Sequence, residues 1–457
     1  MTSPAPPADP RALLADLYWA AVSAAAPGPA LARALANHAT ELGRPVHLFA
    51  LGKAALPMAQ AAVEFLTAHG QVPAGGLLVL PEPAPAPHPK LAVVVGDHPT
   101  PGPGSFAAAE RLAHAAALVR PGEDVWVLLS GGTTSLLGAP VPGLRSDDLT
   151  GLYRLLLGSG LDITAMNRVR KRFARWAGGR LAVALRGAHV KNFTISDVIG
   201  DDLGSIGSGP CVPDSSTAGE VRDELVAAGL WPQLPDGVRG HLEQVIQGLL
   251  PETPKPDDPA FRTTQVVLIA SNRLALEAAL SRAKSLGLTA VLRDAALAGE
   301  AADVGRRVAT ALLDYDATNV AGAQDMRMNK DAVLVWGGET TVTLGPGAGR
   351  GGRSQELALA AAEVLAAPGG SHRREVTLLA AGTDGRDGPT DAAGGYADSG
   401  TWDAIRRNGR DPAVDLRTHH AYDALEAVGG LFKTGLTGTN VMDLVLGCLL
   451  RGARPAL

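Results

Sequence analysis

The sequence predicts an α/β protein of two domains, with mostly parallel sheets and a cleft between them. Three observations carry that expectation. Short apolar runs alternate with helical patterns along almost the whole chain, the order that builds parallel sheets. A length of 457 residues suffices for two or three domains, each with its own core. The stretch Pro251–Pro259, PETPKPDDP, has the composition of a linker and places a boundary near it, giving domains 1–255 and 256–457.

Composition narrows the function classes. Apolar residues make up 46% and charged residues 19%, which excludes a disordered chain. A net charge of −5 with no long basic run argues against nucleic acid as a partner. Cys211 and Cys448 stand alone and far apart. They support neither a disulfide framework nor a zinc site, and they suit a reducing, cytoplasmic setting. No apolar run reaches the ~18 residues of a membrane span. The opening TSPAPPADP lacks the features of a signal peptide and reads as a frayed lead-in.

In chain order, Arg11–Ala39 reads as two helices broken at Pro27-Gly28-Pro29. His47–Leu51 is a strand, Gly52-Lys53 a turn, and Ala54–Ala68 a helix. Lys53 therefore stands at a helix start, either as a solvated turn residue or as an anion-binding group. Gly76–Leu80 and Leu91–Val95 are strands, and His98, before a proline, reads as a loop-packing residue. After the helix Ser105–Leu118, the strand Val125–Leu129 runs into Ser130-Gly131-Gly132-Thr133-Thr134-Ser135. Open α/β sheets hold ligands in such strand-end loops, though the same residues also suit a helix cap. Asp147–Leu157 and Ile163–Leu185 are helices. The second bears Asn167, Arg168, Arg170, Lys171 and Arg172, mostly a solvated face. The strand Val190–Ile195 closes on Asp197, Asp201 and Asp202, which fit either Mg²⁺ or an Asx turn.

A second βαβα series follows. Thr264–Ala270 and Leu288–Leu292 are strands, and Asn272–Leu286 and Ala298–Leu313 are helices. Asp314–Asp331 is a polar connection. Ala332–Trp336 is a strand, Thr340–Leu344 a second short one, and a helix starts at Ser354 after a glycine loop that holds Arg350 and Arg353. Val376–Ala381 leads into another glycine–aspartate loop around Asp384. A last loop ends at Asn440 before a helix over Val441–Leu450. The loop at 347–354 matches both G-x-G-x-x-G and a Walker pattern with arginine for lysine, so neither match discriminates. What it offers is a helix N-terminus and two guanidiniums, which bind phosphate or carboxylate by forked hydrogen bonds. Five strand-end loops, at Lys53, Ser130, Asp197, Arg353 and Asp384, offer anion or metal chemistry. Phosphoryl transfer needs that combination of cations, Mg²⁺ and a carboxylate near the attacking hydroxyl.

The motifs, taken together, resemble the glycerate kinases of the MOFRL type. They are Leu51-Gly52-Lys53-Ala54-Ala55, Leu129-Ser130-Gly131-Gly132, Met166–Lys171 with Gly178–Ala182, and Ser196-Asp197-Val198 through Gly207–Pro210. In the second half they are Gly337–Val342, Gly351-Gly352-Arg353-Ser354-Gln355-Glu356, Gly382–Gly385 with Asp387–Gly394, and Thr437–Val441. The resemblance spans about Arg11 to Arg451. It implies two Rossmann-like domains, the N-terminal one of the glycerate kinase type and the C-terminal one of the MOFRL type. It also implies ATP and Mg²⁺, transfer to the 2-hydroxyl of D-glycerate, and a monomer or homodimer without membrane or nucleic-acid partners. The catalytic lysine, aspartate and arginine fall on Lys53, the Asp197–Asp202 loop and Arg353, with Asp197 preferred to Asp201 because it stands first after the strand. Ser130, Gly131, Gly132, Arg170, Gly351, Gly352 and Asn440 are expected to contact substrate or nucleotide, and Asp201 and Asp384 the metal. Arg350 is a further candidate for the substrate carboxylate. Thr133-Thr134-Ser135, Ser354 and Leu436 depart from the family's usual residues and leave substrate preference open. NAD(P)H-dependent hydroxypyruvate reduction is the alternative activity, and it lacks a ribose-binding acid after Val376–Ala381.

Overall fold

The computed structural model describes residue 7 and residues 9–38, 42–161, 163–315, 331–367 and 374–451. The chain forms two compact units, Pro27–Ile269 and Met1–Ala26 with Ala270–Leu457. The division falls later than the linker composition at 251–259 suggests. The first helix also belongs with the C-terminal half, unlike a division at 255.

The Pro27–Ile269 unit is built on six strands: β1 (Val46–Leu51), β2 (Gly75–Leu80), β3 (Leu91–Val95), β4 (Asp124–Leu129), β5 (His189–Ile195) and β6 (Thr264–Ala270). Their order is β3-β2-β1-β4-β5-β6, and the β1–β2, β2–β3, β1–β4 and β4–β5 pairs are parallel. β1 is buried along its whole length, as two-sided burial between helices requires. The helix Ala55–Ala68 packs on β1, β2 and β4, and Pro103–Ala117 on β2 and β3.

The single helix expected over Ile163–Leu185 is two, Ile163–Phe173 and Arg180–Ala184. Gly178 and Gly179, at φ 56° and 85°, carry the chain through the break. The buried Arg180 guanidinium then donates to the carbonyls of Lys171, Arg172, Ala174 and Ala177, groups that a helix end leaves unpaired. The basic face is also less solvated than expected. Arg168 pairs with Glu224, and the buried Arg172 with Glu252.

The second unit has a different sheet. Its strands are β7 (Thr289–Leu297), β8 (Ala332–Gly338), β9 (Arg374–Gly382), β10 (Gly394–Asp398), β11 (Leu431–Phe432) and β12 (Asp443–Arg451), in the order β11-β10-β9-β12-β8-β7. Only β7–β8 is parallel. β8–β12, β12–β9, β9–β10 and β10–β11 are antiparallel, so the expectation of a mostly parallel sheet does not hold here.

Two of these four pairings come from β12, which replaces the helix expected over Val441–Leu450. A short apolar run buried on both faces has the same pattern as a buried helix. Inserted between β8 and β9, it reverses both pairings. The strand expected over Thr340–Leu344 reduces to one bridge, Glu300 to Thr341, while the Glu300 carboxylate accepts from the Thr343 amide and hydroxyl. The helix Pro10–Ala24 packs on Asn272–Ser285, β9 and β12, and its Tyr18 hydroxyl donates to the Gly382 carbonyl at 2.8 Å. The frayed lead-in and most of the Asp314–Asp331 connection lie outside the described residues.

Candidate active site

In the Pro27–Ile269 unit the strand order reverses between β1 and β4, whose last residues, Leu51 and Leu129, are register partners. Ligands bind outside the carboxyl ends of strands at such a point. Gly52-Lys53 leaves β1 there and Ser130-Gly131-Gly132 leaves β4. The two turns are tied together: the Lys53 amide donates to the Gly131 carbonyl at 3.0 Å, and the Ala54 amide to the Ser130 hydroxyl at 3.0 Å. Ser130 is therefore a turn brace as well as a loop residue.

Asp197 leaves the neighbouring β5. A methyl group on Gly131 would run into its carboxylate, so only glycine lets that acid lie over the turn. Lys53 is exposed and forms no ion pair with a carboxylate among the described residues. His98 lies within reach of the same turn: a Cβ on Gly132 would stand 3.1 Å from the Lys53 stem and 3.5 Å from the His98 ring. Burial and then the Lys53 charge hold the His98 pKa below the usual imidazole value. His98, read from the sequence as loop packing, lies beside the Lys53 turn. The loop following β3 carried no signal in the sequence that it would bring His98 beside Lys53.

The other expected residues of this unit are placed differently. In the Asp197–Asp202 loop, Asp202 accepts from the Gly204 amide and the Ser205 hydroxyl, an Asx turn. Asp201 follows Gly200 in left-handed backbone, φ 54°. Arg170 stacks over the buried Tyr153 ring at 5.1 Å, and its buried Nε has no hydrogen-bond partner among the described residues.

In the second unit Arg353 opens the helix Arg353–Leu365. Its Nε and one Nη grip Asp443 at 2.6 and 3.0 Å, and the other Nη donates to Glu339 at 2.5 Å. Burial opposes the guanidinium charge, but Asp443, Glu339 and Asp387 together raise its pKa above the usual arginine value. The first helical amides do not await an anion. The Ser354 amide donates to Asp387 Oδ1 at 3.0 Å, and that of Gln355 to Oδ2 at 2.7 Å. Gly352 is required here, since a Cβ would enter the Asp387 carboxylate. Burial pushes Asp387 up to about 7 despite those two donors, and pushes Asp443 up to about 6 against the pull of Arg353.

A cavity of about 440 Å³ opens beside this network, lined among others by Gly351, Gly352, Arg353, Asp384 and Arg386. Asp384 accepts from the Arg386 amide through Oδ1. Asn440 braces its own loop by accepting from the Met442 amide at 3.1 Å. Arg350 lies 3.6 Å from the centre of the Tyr422 ring. Among the described residues, no group of three or more His, Cys, Asp and Glu is arranged to hold a metal ion.

The structure thus gathers Lys53, Ser130, Gly131, Gly132 and Asp197 at one sheet edge in one unit. It gathers Gly351, Gly352, Arg353 and Asp384 around one cavity in the other. Sequence reasoning missed Glu339, Asp387 and Asp443. Asp387 had a signal, a second acid within a glycine loop after a strand. Asp443 was hidden by the misread β12.

Comparison with known proteins fits this arrangement. Residues 13–243 match a family described as a domain of unknown function, DUF4147, and residues 332–443 match the MOFRL family. The chain is 36% identical to the glycerate 2-kinase of Pyrococcus horikoshii, over 89% of this chain and 88% of that protein. It is 35% identical to an Agrobacterium vitis protein provisionally named a hydroxypyruvate reductase, over 95% and 93%. The crystal structure of a Thermotoga maritima glycerate kinase superposes with a TM-score of 0.82 at 34% identity, covering 96% of this chain and 99% of that one. With both matches in this order and such relatives along nearly its whole length, the chain belongs to the MOFRL-type glycerate kinase family.

Proposed function

We propose that the chain transfers the γ-phosphoryl group of ATP to the 2-hydroxyl of D-glycerate, giving 2-phosphoglycerate and ADP. The observation that carries the reading is the kinship with glycerate 2-kinases over almost all of the chain. The exposed Lys53 at the topological switch point adds the site chemistry. In the transfer, the bond from phosphorus to the β,γ-bridging oxygen breaks and a bond to the substrate oxygen forms, while the hydroxyl proton leaves. Asp197 orients that hydroxyl and takes its proton. Lys53 and Arg353 balance charge on the moving group. Backbone of Ser130-Gly131-Gly132 and of Gly351-Gly352 approaches the phosphates. Arg170, whose Nε lacks a partner, suits the substrate carboxylate better than Arg350, which is committed to Tyr422. Asn440 completes the nucleotide side.

Asp384 fits Mg²⁺ because only one of its carboxylate oxygens has a partner among the described residues. Mg²⁺ is commonly held by one or two carboxylates plus phosphate oxygens and water. Asp201 is the second candidate ligand. The metal supplies positive charge across the nucleotide phosphates when bound.

The enzyme is expected to be cytoplasmic. No helix among the described residues is long and apolar enough to cross a membrane. The test is incubation with ATP and D-glycerate, with ADP release coupled to NADH oxidation and the product isomer assigned by NMR. Oxidation of NADH by hydroxypyruvate without ATP would favour the reductase reading instead.

A further inference from the structure

The cavity beside Arg353 holds a pair of groups that the proposed transfer does not use. Glu356, in the first turn of the helix Arg353–Leu365, has a side chain only 6% exposed, and its Oε2 lies 2.9 Å from Nδ1 of His419. Both residues line the cavity. With Nδ1 turned to a carboxylate, the ring's Nε2 is left with no hydrogen-bond partner among the described residues.

The backbone reinforces the placement. His419 is left-handed, φ 59°, a conformation that glycine and asparagine adopt far more readily. A strained residue in a cavity wall points to function. Its segment is tied to the glycine loop, where the Gly349 amide donates to the Thr418 carbonyl and the Tyr422 amide to that of Arg350.

The other charges facing the cavity are largely committed. Arg353 grips Asp443 and Glu339, and Asp387 caps the helix. Glu300, whose charge is felt at Glu356, accepts from Thr341 and Thr343. The Arg386 guanidinium, on the same wall, has no side-chain hydrogen bond or ion pair among the described residues. Beside Asp384, whose second carboxylate oxygen is the proposed Mg²⁺ contact, a ligand entering here meets one uncommitted cation, Arg386, and one uncommitted ring nitrogen.

We propose that His419, held by Glu356, is a ligand-binding residue of this cavity for a hydroxylated organic anion: Nε2 accepts a hydrogen bond from a ligand hydroxyl and Arg386 takes the anionic group. The inference rests on the kinase reading for its two candidate sources, D-glycerate and the ribose–phosphate part of ATP. Steady-state kinetics of His419→Gly, His419→Asn and Arg386→Met separate them, with calorimetric titration of D-glycerate and of ADP alongside. His419→Gly removes the ring and relaxes the backbone but leaves the buried Glu356 carboxylate without its partner, so thermal unfolding is measured for each variant to show that it folds.

The expected result is a KM or Kd for one of the two ligands raised about tenfold by His419→Gly, the scale of one hydrogen bond, with the other changed less than about twofold. kcat should stay within about threefold, since uniform binding is what is lost. His419→Asn, which keeps an acceptor and tolerates the backbone, should recover part of the loss. Arg386→Met should weaken the same ligand. If His419→Gly leaves both KM and both Kd values unchanged, or lowers kcat alone, the proposal is overturned. A wild type that binds these ligands without turnover would overturn the kinase reading only, and the Kd comparison then decides the role of His419. A wild type that binds neither overturns both.

Discussion

Lys53 and Arg353 are cations placed in opposite ways, and their variants should differ accordingly. Lys53 stands exposed at the switch point, braced only through its backbone. Lys53→Met should lower kcat/KM by about 10³, the scale of one lost transition-state charge contact, with little change in unfolding temperature. Arg353 is half-buried and held by two carboxylates. Asp443→Ala should lower activity and also destabilise the fold by about 2 kcal/mol, because the half-buried Arg353 loses its two-bond partner and keeps only Glu339. Urea unfolding followed by circular dichroism measures the second effect. Gly131→Ala tests the close approach of Asp197: displacing that carboxylate by about 1 Å should cost about 10² in kcat/KM while the fold survives.

At the scale of elements, the start of the helix Arg353–Leu365 is filled by Asp387, and that has a pH consequence. Its pKa rises from 3.8 to about 7 in the folded chain, so folding favours the neutral acid. The resulting stabilisation is fully present below pH ~4 and is lost as pH rises through about 7. Relative to Asp387→Asn, the wild type should lose stability between pH 4 and 7 and then level off. A pH-independent difference between the two unfolding free energies would contradict that assignment.

The elements also show what the sequence could tell. The β1, β4 and β5 strands were legible because each apolar run ends in a polar or glycine loop, and those loops carry Lys53, Ser130 and Asp197. β12 was not, since two-sided burial erases the alternation that marks a strand. With it went Asp443, whose partner Arg353 is 90 residues away and visible only after folding.

For the whole molecule, the two units differ in what the family resemblance could convey. The motifs name residues but not their commitments. In the Pro27–Ile269 unit the motif residues meet at one edge, as the strand order requires. In the other, glycine-rich spacing suggested a helix start awaiting an anion, whereas the observed loop delivers Asp387 to it. Only the folded chain shows that an arginine read as a phosphate ligand is also the hub of a carboxylate network.

The most direct test of the central claim is the identity of the product that the purified chain makes from ATP, Mg²⁺ and D-glycerate. Phosphorus NMR should show 2-phosphoglycerate and ADP in equal amounts, with the signal lost in Lys53→Met. Formation of 3-phosphoglycerate alone, or no phosphoglycerate at all, would contradict it.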